Sequence, residues 1–337
     1  MNTRPRSLLR VYGDIARPFT LLLPALGFVT GAVCAARSLD LAWAPVLLGT
    51  LMAASLNIAS NALNQICDRR IDAVNKPDRP IPSGRISLGH AWAFTAAFYV
   101  LSLLLAWMVV PPCRWARAVE GIPAGWSTRW AVWGAPLAWR ECFWVVVAGA
   151  VCTYLYSAPP FRTKRHWLLS NITIAIPRGL LLKVAGWAAG GCLALRLAPG
   201  AALDGEPWWL GAVFLLYLIG AASTKDFSDI EGDLVDGCVT LPARFGLQRS
   251  AWIIAPFLSI PWLLLPAGTF VGLFHASAWA MGGVGVALFL YGLYIAWLIL
   301  RDPKALALEA NHPSWKHMYL LMLVAQLGTA AAYVVAP

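Results

Sequence analysis

The sequence contains little charge for its length. Only 12% of its 337 residues are Asp, Glu, Lys or Arg, whereas 59% are hydrophobic and the mean hydropathy is +0.65. Soluble globular domains carry about 25% charged residues. The composition therefore excludes a water-soluble protein and predicts an all-α fold that crosses the membrane several times.

The sequence also lacks the cysteine and histidine patterns that bind metals. The seven cysteines form no C-x-x-C pair, and most of them lie in apolar segments. We interpret them as buried thiols. The five histidines form no ligand cluster. These absences argue against a zinc site and against a disulfide framework.

Long apolar segments are abundant. A membrane-spanning helix needs about 20 mostly apolar residues, and the sequence predicts a bundle of about nine such helices within a single membrane domain, residues 1–337. The first segment follows an arginine-rich start that resembles a secretion signal, but Gly27 and Gly31 form a G-x-x-x-G packing face that favours a retained helix. The nine segments are 18–37, 42–65, 91–110, 142–158, 167–195, 207–225, 252–274, 277–300 and 316–336.

Residues 111–141 depart from this pattern. They contain five tryptophans and four arginines, a composition typical of a segment whose indole rings lie at the lipid headgroups. We expect an interfacial insertion on the outer face, and we assign it no chemistry.

The distribution of basic residues predicts the orientation. With nine spans and a cytoplasmic N-terminus, most of the 26 Lys and Arg residues fall on the cytoplasmic side, as the positive-inside rule requires. The net charge of +10 then serves topology and the binding of an anionic substrate, and nothing in the pattern requires nucleic acid.

Half of the 16 acidic residues lie in two short windows, which this orientation places together on the cytoplasmic side. On a helix, side chains three or four positions apart share one face. A solvated helix end is the simpler interpretation, but carboxylates at a membrane edge are costly unless they bind something. We expect the two stripes to face each other as a polar cap that binds Mg²⁺, which prefers oxygen ligands. The candidate ligands are Asn64, Asp68, Asp72, Asp226, Asp229 and Asp233.

Three ordered motifs extend these windows. The first is N-x-x-x-D-x-x-x-D with N-K-P-D-R-P-I-P-S-G, the second is Y-S-A-P-P-F at 156–161, and the third is K-D-F-S-D-I-E-G-D with V-T-L-P-A-R-F-G. Together with Arg17-Pro18-Phe19-Thr20, they resemble the UbiA-type intramembrane prenyltransferases, on the homogentisate and chlorophyll-synthase side of that family. Gln65 stands where many members have aspartate.

The resemblance implies a function. It implies Mg²⁺-dependent transfer of an isoprenyl chain from a prenyl diphosphate to a small aromatic acceptor of quinone, tocopherol or chlorophyll type, with release of diphosphate. The implied catalytic residues are Asp68, Asp72, Asp229, Asp233 and Tyr156. The implied substrate-binding residues are Asn64, Lys76, Arg79, Arg162, Lys164, Lys225 and Arg178.

Two alternatives stay open. Basic residues on cytoplasmic loops are also expected from topology alone, and Arg178 with Lys183 in the fifth segment could pair with a carboxylate or snorkel to the interface. At the level of function, the rival is a non-enzymatic transporter or divalent-cation carrier. Transporters, however, place acids near the membrane midplane on broken or repeated helices, whereas here the acids lie at one edge.

Overall fold

The computed structural model describes residues 8–110, 136–191, 205–308 and 312–336, and these residues fold into helices joined by short loops. Short 3₁₀ turns precede or follow several helices. In chain order the helices are α1 (Leu8–Ala16), α2 (Leu22–Ala36), α3 (Trp43–Cys67), α4 (Arg69–Asn75), α5 (Leu88–Met108), α6 (Glu141–Ser157), α7 (Leu169–Gly190), α8 (Glu206–Ser223), α9 (Ile230–Val235), α10 (Leu241–Phe245), α11 (Leu247–Ser259), α12 (Leu264–Phe270), α13 (Ala278–Arg301), α14 (Pro303–Leu308) and α15 (Pro313–Val334).

The helices have the lengths that a membrane bundle requires. Within the described ranges, eight helical stretches are long and apolar enough to span a membrane, and α11 and α12 form one of them as Leu247–Phe270. A ninth apolar helix, α6, is shorter at 17 residues. These nine elements coincide with the nine predicted segments, so the all-α, polytopic membrane architecture is confirmed.

Small residues allow the central helices to approach closely. A Cβ atom added to Gly31 of α2 would lie 2.8 Å from the carbonyl oxygen of Lys183 and 3.1 Å from the Cα atom of Gly186 on α7. Because lipid tails are as apolar as the helices, such close packing is a main source of association between membrane helices. The predicted G-x-x-x-G face therefore packs against α7.

Helix α7 is not regular along its whole length. Residues Ile176–Leu181 form a π-helical segment that contains Pro177. Proline has no backbone N–H and disturbs the preceding helical turn, and π-helical segments often occur at functional sites. Arg178 lies on this widened segment.

Polar side chains of α3 attach α1 to the bundle. Gln65 Nε2 donates to the carbonyl oxygen of Ile15 (3.0 Å), and Asn61 Nδ2 donates to that of Ala16 (3.1 Å). Carbonyls at a helix C-terminus lack intrahelical partners, and here the two amides satisfy them. Gln65 therefore has a structural role at the contact between α3 and α1.

Most of the predicted interfacial insertion, residues 111–141, lies outside the described residues, which include only 136–141 of it. At its end, the Arg140 guanidinium stacks over the Trp107 ring, 3.7 Å from the ring centroid. The interpretation of 1–337 as a single domain stays a prediction.

Candidate active site

The first acidic stripe lies where α3 passes into α4. The amide of Asp68 donates to the carbonyl of Asn64 and the amide of Asp72 to that of Asp68, both at 2.8 Å, so helical hydrogen bonding continues through the junction. The three side chains therefore share one face, as predicted. Asp68 and Asp72 are only 5% and 3% exposed.

The second stripe has a different local structure from the predicted single helical face. Asp226 lies in the 3₁₀ turn Thr224–Phe227, and Asp229 is the non-helical residue that precedes α9. Asp229 and Asp233 are related by a helical turn, with the amide of Asp233 donating to the carbonyl of Asp229 (3.0 Å).

The two stripes are joined directly by Asn75. Its Nδ2 atom donates to the carbonyl of Asp229, and its Oδ1 atom accepts from the amide of Gly232, both at 3.1 Å. A Cβ atom at Gly232 would lie 2.4 Å from Asn75 Nδ2, so only glycine fits this contact without displacement. Sequence reasoning missed both residues, although the N-K-P and E-G-D motifs contain them.

The joined stripes line one polar cleft. Every predicted site residue except Arg162 and Arg178 lines it, and Arg17 is an addition. The polar lining comprises Arg17, Asn64, Asp68, Asp72, Lys76, Arg79, Tyr156, Lys164, Lys225, Asp226, Asp229 and Asp233, together with Ser170 and Thr240.

Cations neutralise three of the carboxylates. Lys164 forms an ion pair with Asp68, Arg79 with Asp72, and Lys76 with Asp229 at 2.7 Å. Burial opposes the charge of Lys164, but Asp68 outweighs this and raises the lysine pKa above its usual value. Burial likewise disfavours the Asp229 carboxylate, yet Lys76 holds the Asp229 pKa below its usual range.

Other oxygen atoms in the cleft remain available. Among the described residues, the carboxylates of Asp226 and Asp233 have no hydrogen-bonded or ion-paired side chain, and burial raises the pKa of Asp233 to about 6. Asp72 Oδ2 is buried without a partner in the same part of the chain. The available donors are therefore hard oxygens, which fit Mg²⁺.

The carboxylates are not arranged as a preformed metal site. Over the ranges that the structure covers, no group of three or more His, Cys, Asp or Glu side chains is spaced to hold a metal ion. Three of the carboxylates, Asp68, Asp72 and Asp229, are instead engaged in ion pairs.

Arg162 lies behind the cleft and does not line it. Its Nη2 atom donates to Asp68 Oδ1 and to the carbonyl of Cys67, both at 3.0 Å, and its guanidinium also pairs with Asp236. The backbone of Arg162 is left-handed, with φ of 38°. This geometry directs the arginine toward the base of Asp68, where it positions that carboxylate.

Arg17 and Arg178 differ from the predictions in opposite ways. Arg17 lines the cleft and has a left-handed backbone, with φ of 54°. Burial, together with the positive charge of the nearby Arg79, lowers the pKa of Arg17 to about 10. Arg178 lies outside the cleft and lines cavities within the bundle.

These observations define a polytopic membrane protein with an oxygen- and cation-lined cleft at one end of its bundle. The chain belongs to the UbiA prenyltransferase family, which matches residues 22–121 and 130–321. It is therefore a prenyltransferase, and the expected family and enzyme class are confirmed.

Relatives with known names cover nearly the whole chain. Digeranylgeranylglyceryl phosphate synthase from Methanobrevibacter smithii is 27% identical over 95% of this chain and 96% of its own length. Bacteriochlorophyll synthase 33 kDa chain from Cereibacter sphaeroides is 28% identical over 90% and 95%.

A solved structure has the same fold. The UbiA homolog from Archaeoglobus fulgidus bound to GPP and Mg²⁺ matches with a TM-score of 0.68 at 20% identity, over 96% of this chain and 99% of that one.

Proposed function

We propose that this enzyme transfers an isoprenyl chain from a prenyl diphosphate to a small aromatic acceptor in a Mg²⁺-dependent reaction that releases diphosphate. The observation that carries the proposal is the convergence of two carboxylate stripes and five cations in one cleft at the end of an apolar bundle. A prenyl diphosphate has a charged head that matches the cleft and a long apolar tail that matches the bundle.

The oxygen donors of the cleft would hold the metal. When bound, Mg²⁺ neutralises diphosphate charge and makes it a better leaving group. The description of the Archaeoglobus fulgidus homolog as bound to GPP and Mg²⁺ supports this assignment. The proposed ligands are Asn64, Asp68, Asp72, Asp226, Asp229 and Asp233.

The cations of the cleft would bind the phosphate oxygens. Lys76, Arg79 and Lys164 are each paired with a carboxylate. An entering diphosphate can take over these cations and release carboxylate oxygens for the metal. Lys225, which has no side-chain partner in the described part of the chain, is available without such an exchange. Arginine contributes bidentate contacts that lysine cannot make.

Tyr156 contributes an aromatic ring to the lining of the cleft. It lies near the C-terminus of α6 and lines the same space as the acids. Departure of diphosphate leaves an allylic cation, and the face of an aromatic ring attracts cations. We assign Tyr156 to orienting the donor or stabilising this cation.

An apolar pocket between α2, α3, α6 and α7 is suited to the isoprenyl tail. Its lining includes Met52, Leu56, Val145 and Leu181, and it reaches Ser60, one helical turn from Asn64. Such a water-poor space would protect the allylic cation from hydrolysis.

The acceptor and the orientation are inferred from the sequence. The two relatives are named as a digeranylgeranylglyceryl phosphate synthase and a bacteriochlorophyll synthase subunit, so related chains differ in acceptor. The Y-S-A-P-P-F and K-D-F-S-D-I-E-G-D motifs favour an aromatic acceptor. The excess of Lys and Arg favours a cytoplasmic cleft.

Labelled prenyl diphosphates of several lengths, tested against candidate acceptors with purified protein, would test the proposal. We expect prenylated product and stoichiometric diphosphate release with Mg²⁺, and loss of both after exhaustive chelation. Full turnover without metal would contradict the metal assignment. Cation flux in liposomes without diphosphate release would instead favour a carrier.

A further inference from the structure

A groove separate from the cleft lies at the same end of the bundle. It forms where the start of α4, the first turns of α5 and the loop that follows α6 meet, and it shares none of its described lining residues with the cleft. Of its residues, only Arg162 has a role at the cleft, where it positions Asp68. The charged and aromatic residues of the groove are Arg69, Arg70, Trp92, Arg162, Arg165 and Asp236.

The groove carries an excess of positive charge. Four arginines and one acid are among its described lining residues, and the acid, Asp236, forms an ion pair with Arg162. Arg69, Arg70 and Arg165 form no ion pair or side-chain hydrogen bond within the described ranges, and all three are exposed. These three guanidinium groups are therefore free to bind an anion.

Backbone contacts bring the three free arginines together. Topology alone predicts that cytoplasmic loops are basic, but it does not predict that two loops far apart in the chain converge. Arg162 Nη2 donates to the carbonyl of Cys67 (3.0 Å), which fixes the loop after α6 against the end of α3. The carbonyl of Arg165 accepts from the amide of Val239, also at 3.0 Å. Arg165 is thereby held beside the two arginines that begin α4.

The groove meets an exposed apolar surface of the bundle. Trp92, which lines the groove, is 48% exposed near the start of α5, and Val100 and Leu104 are exposed further along the same helix. Tyr154 is exposed near the end of the neighbouring helix α6. Tryptophan and tyrosine concentrate at the level of the lipid headgroups in membrane proteins. The free arginines therefore lie where headgroups meet hydrocarbon.

We propose that this groove binds one anionic phospholipid, whose phosphate pairs with Arg69, Arg70 and Arg165 and whose acyl chains lie along the exposed face of α5. Guanidinium groups bind phosphate oxygens through charge-assisted, often bidentate hydrogen bonds. Basic pockets at the ends of membrane helices recognise anionic headgroups by the same chemistry. The apolar surface beside the arginines favours a lipid over a soluble anion. This lipid is neither donor nor acceptor of the prenyl group.

Lipid adducts of the purified protein test this assignment. The protein in detergent is mixed with dioleoylphosphatidylglycerol or dioleoylphosphatidylcholine, which have the same chains but differ in net charge, and native mass spectrometry counts the bound lipids. We expect the first phosphatidylglycerol to reach half-occupancy at a mole fraction about tenfold lower than phosphatidylcholine, because each basic residue near an anionic headgroup adds attraction. Glycerol phosphate, the headgroup without chains, should form no adduct over the same range.

Variants assign the preference to the groove. Arg69→Gln, Arg70→Gln and Arg165→Gln should each reduce the preference for phosphatidylglycerol a few-fold, and the triple variant should abolish it. An unchanged unfolding temperature in detergent confirms that each variant is folded. The control variant, which should keep the wild-type preference, loses three exposed cations at the same end of the bundle but outside the groove, by Arg249→Gln, Arg301→Gln and Lys304→Gln.

Four outcomes would overturn the lipid site. Equal binding of the two lipids to the wild type, or an unchanged preference in the triple variant, excludes recognition by these arginines. An equal loss of preference in the control variant shows that general surface charge governs binding. Glycerol phosphate adducts at the same concentrations show a site for soluble anions instead. Displacement of the lipid by geranyl diphosphate with Mg²⁺ places it in the cleft. Diphosphate release tests the proposed reaction separately, so either conclusion can fail while the other stands.

Discussion

Asp68 has the most partners of the residues in the cleft. Asn64 Nδ2 (2.8 Å), Arg162 and Lys164 all contact its two carboxylate oxygens. Arg162 approaches from behind the cleft, where a bound diphosphate need not disturb it, whereas Lys164 lines the cleft. We infer that Asp68 keeps its orientation when Lys164 shifts to a phosphate oxygen. Preorganised groups of this kind stabilise developing charge without reorganisation.

Removing single carboxylates tests the metal assignment. We expect Asp68→Asn, Asp72→Asn, Asp229→Asn and Asp233→Asn each to lower turnover by about 10²-fold or more, the cost found for other preorganised charge-stabilising groups. Turnover is measured as diphosphate release, with detergent-stable folding checked in parallel.

Asp78 provides the matched control. It lies in the proline-rich loop, is exposed, and does not line the cleft. Asp78→Asn should have a mild effect. Equal losses at all five positions would show that general surface charge, and not the cleft, governs turnover.

At the scale of elements, the junction of α4 and α9 sets the distance between the two acidic stripes. Because Asn75 contacts both Gly232 and the carbonyl of Asp229, a methyl group at position 232 must displace the Asn75 side chain. We expect Gly232→Ala to lower turnover by about tenfold or more, since misplacement by about 1 Å can cost 10²-fold. Unfolding temperature and diphosphate release are measured together.

Gly282 is the control for this substitution. It lies on helix α13 with no atom within 4 Å of an added Cβ. Gly282→Ala should leave turnover unchanged. If Gly232→Ala behaves in the same way, the Asn75 contact does not set the spacing of the stripes.

Helix α7 contains a buried lysine that connects three other helices. Lys183 donates to Thr30 on α2, lies 4.7 Å from the Phe214 ring centroid on α8, and connects through Thr30 to Gln326 on α15. Removing an acceptor from a buried charge costs more than removing the whole interaction. The bundle therefore depends on Thr30 more than on the charge of Lys183.

Two substitutions separate these contributions. Thr30→Val should lower the free energy of unfolding by about 1–3 kcal/mol, because it leaves Lys183 without its hydroxyl acceptor. Lys183→Met, of similar volume, should be neutral or stabilising. Unfolding in detergent measures the free energy of unfolding of each variant relative to the wild type. Thr50→Val, which removes only the hydrogen bond to the carbonyl of Val46, is the control, and an equal effect there would contradict the argument.

For the whole molecule, hydropathy and spacing were sufficient to predict the bundle and most of the cleft. Apolar length alone located the nine helices, and three- and four-residue spacing grouped Asp68 with Asp72 and Asp229 with Asp233. Spacing could not predict the direction of Arg162, because a left-handed backbone and Asp236 determine it. Nor could it predict the contact of Asn75 with Gly232, which joins segments far apart in the chain.

The orientation of the protein in the membrane remains a prediction from the sequence. The helix order places the loops after α3, α6 and α8 at one end of the bundle and the loop between α2 and α3 at the other. The positive-inside rule places the first end in the cytoplasm. Sidedness also matters for the chemistry, because the soluble head of a prenyl diphosphate can reach the cleft from one side only.

Impermeant thiol labelling checks this orientation in a background cleared of the native cysteines. Cysteines at the exposed positions Ser83, Arg165 and Val235 should all react from the cytoplasmic side, and a cysteine at Leu39 only from the outside. Within the Trp- and Arg-rich insertion, a cysteine near Gly125 should also react only from the outside. Labelling of Ser83 and Val235 from opposite sides would separate the two stripes by a hydrocarbon core of about 30 Å. They could then share neither a metal ion nor a diphosphate, and the proposed reaction would fail.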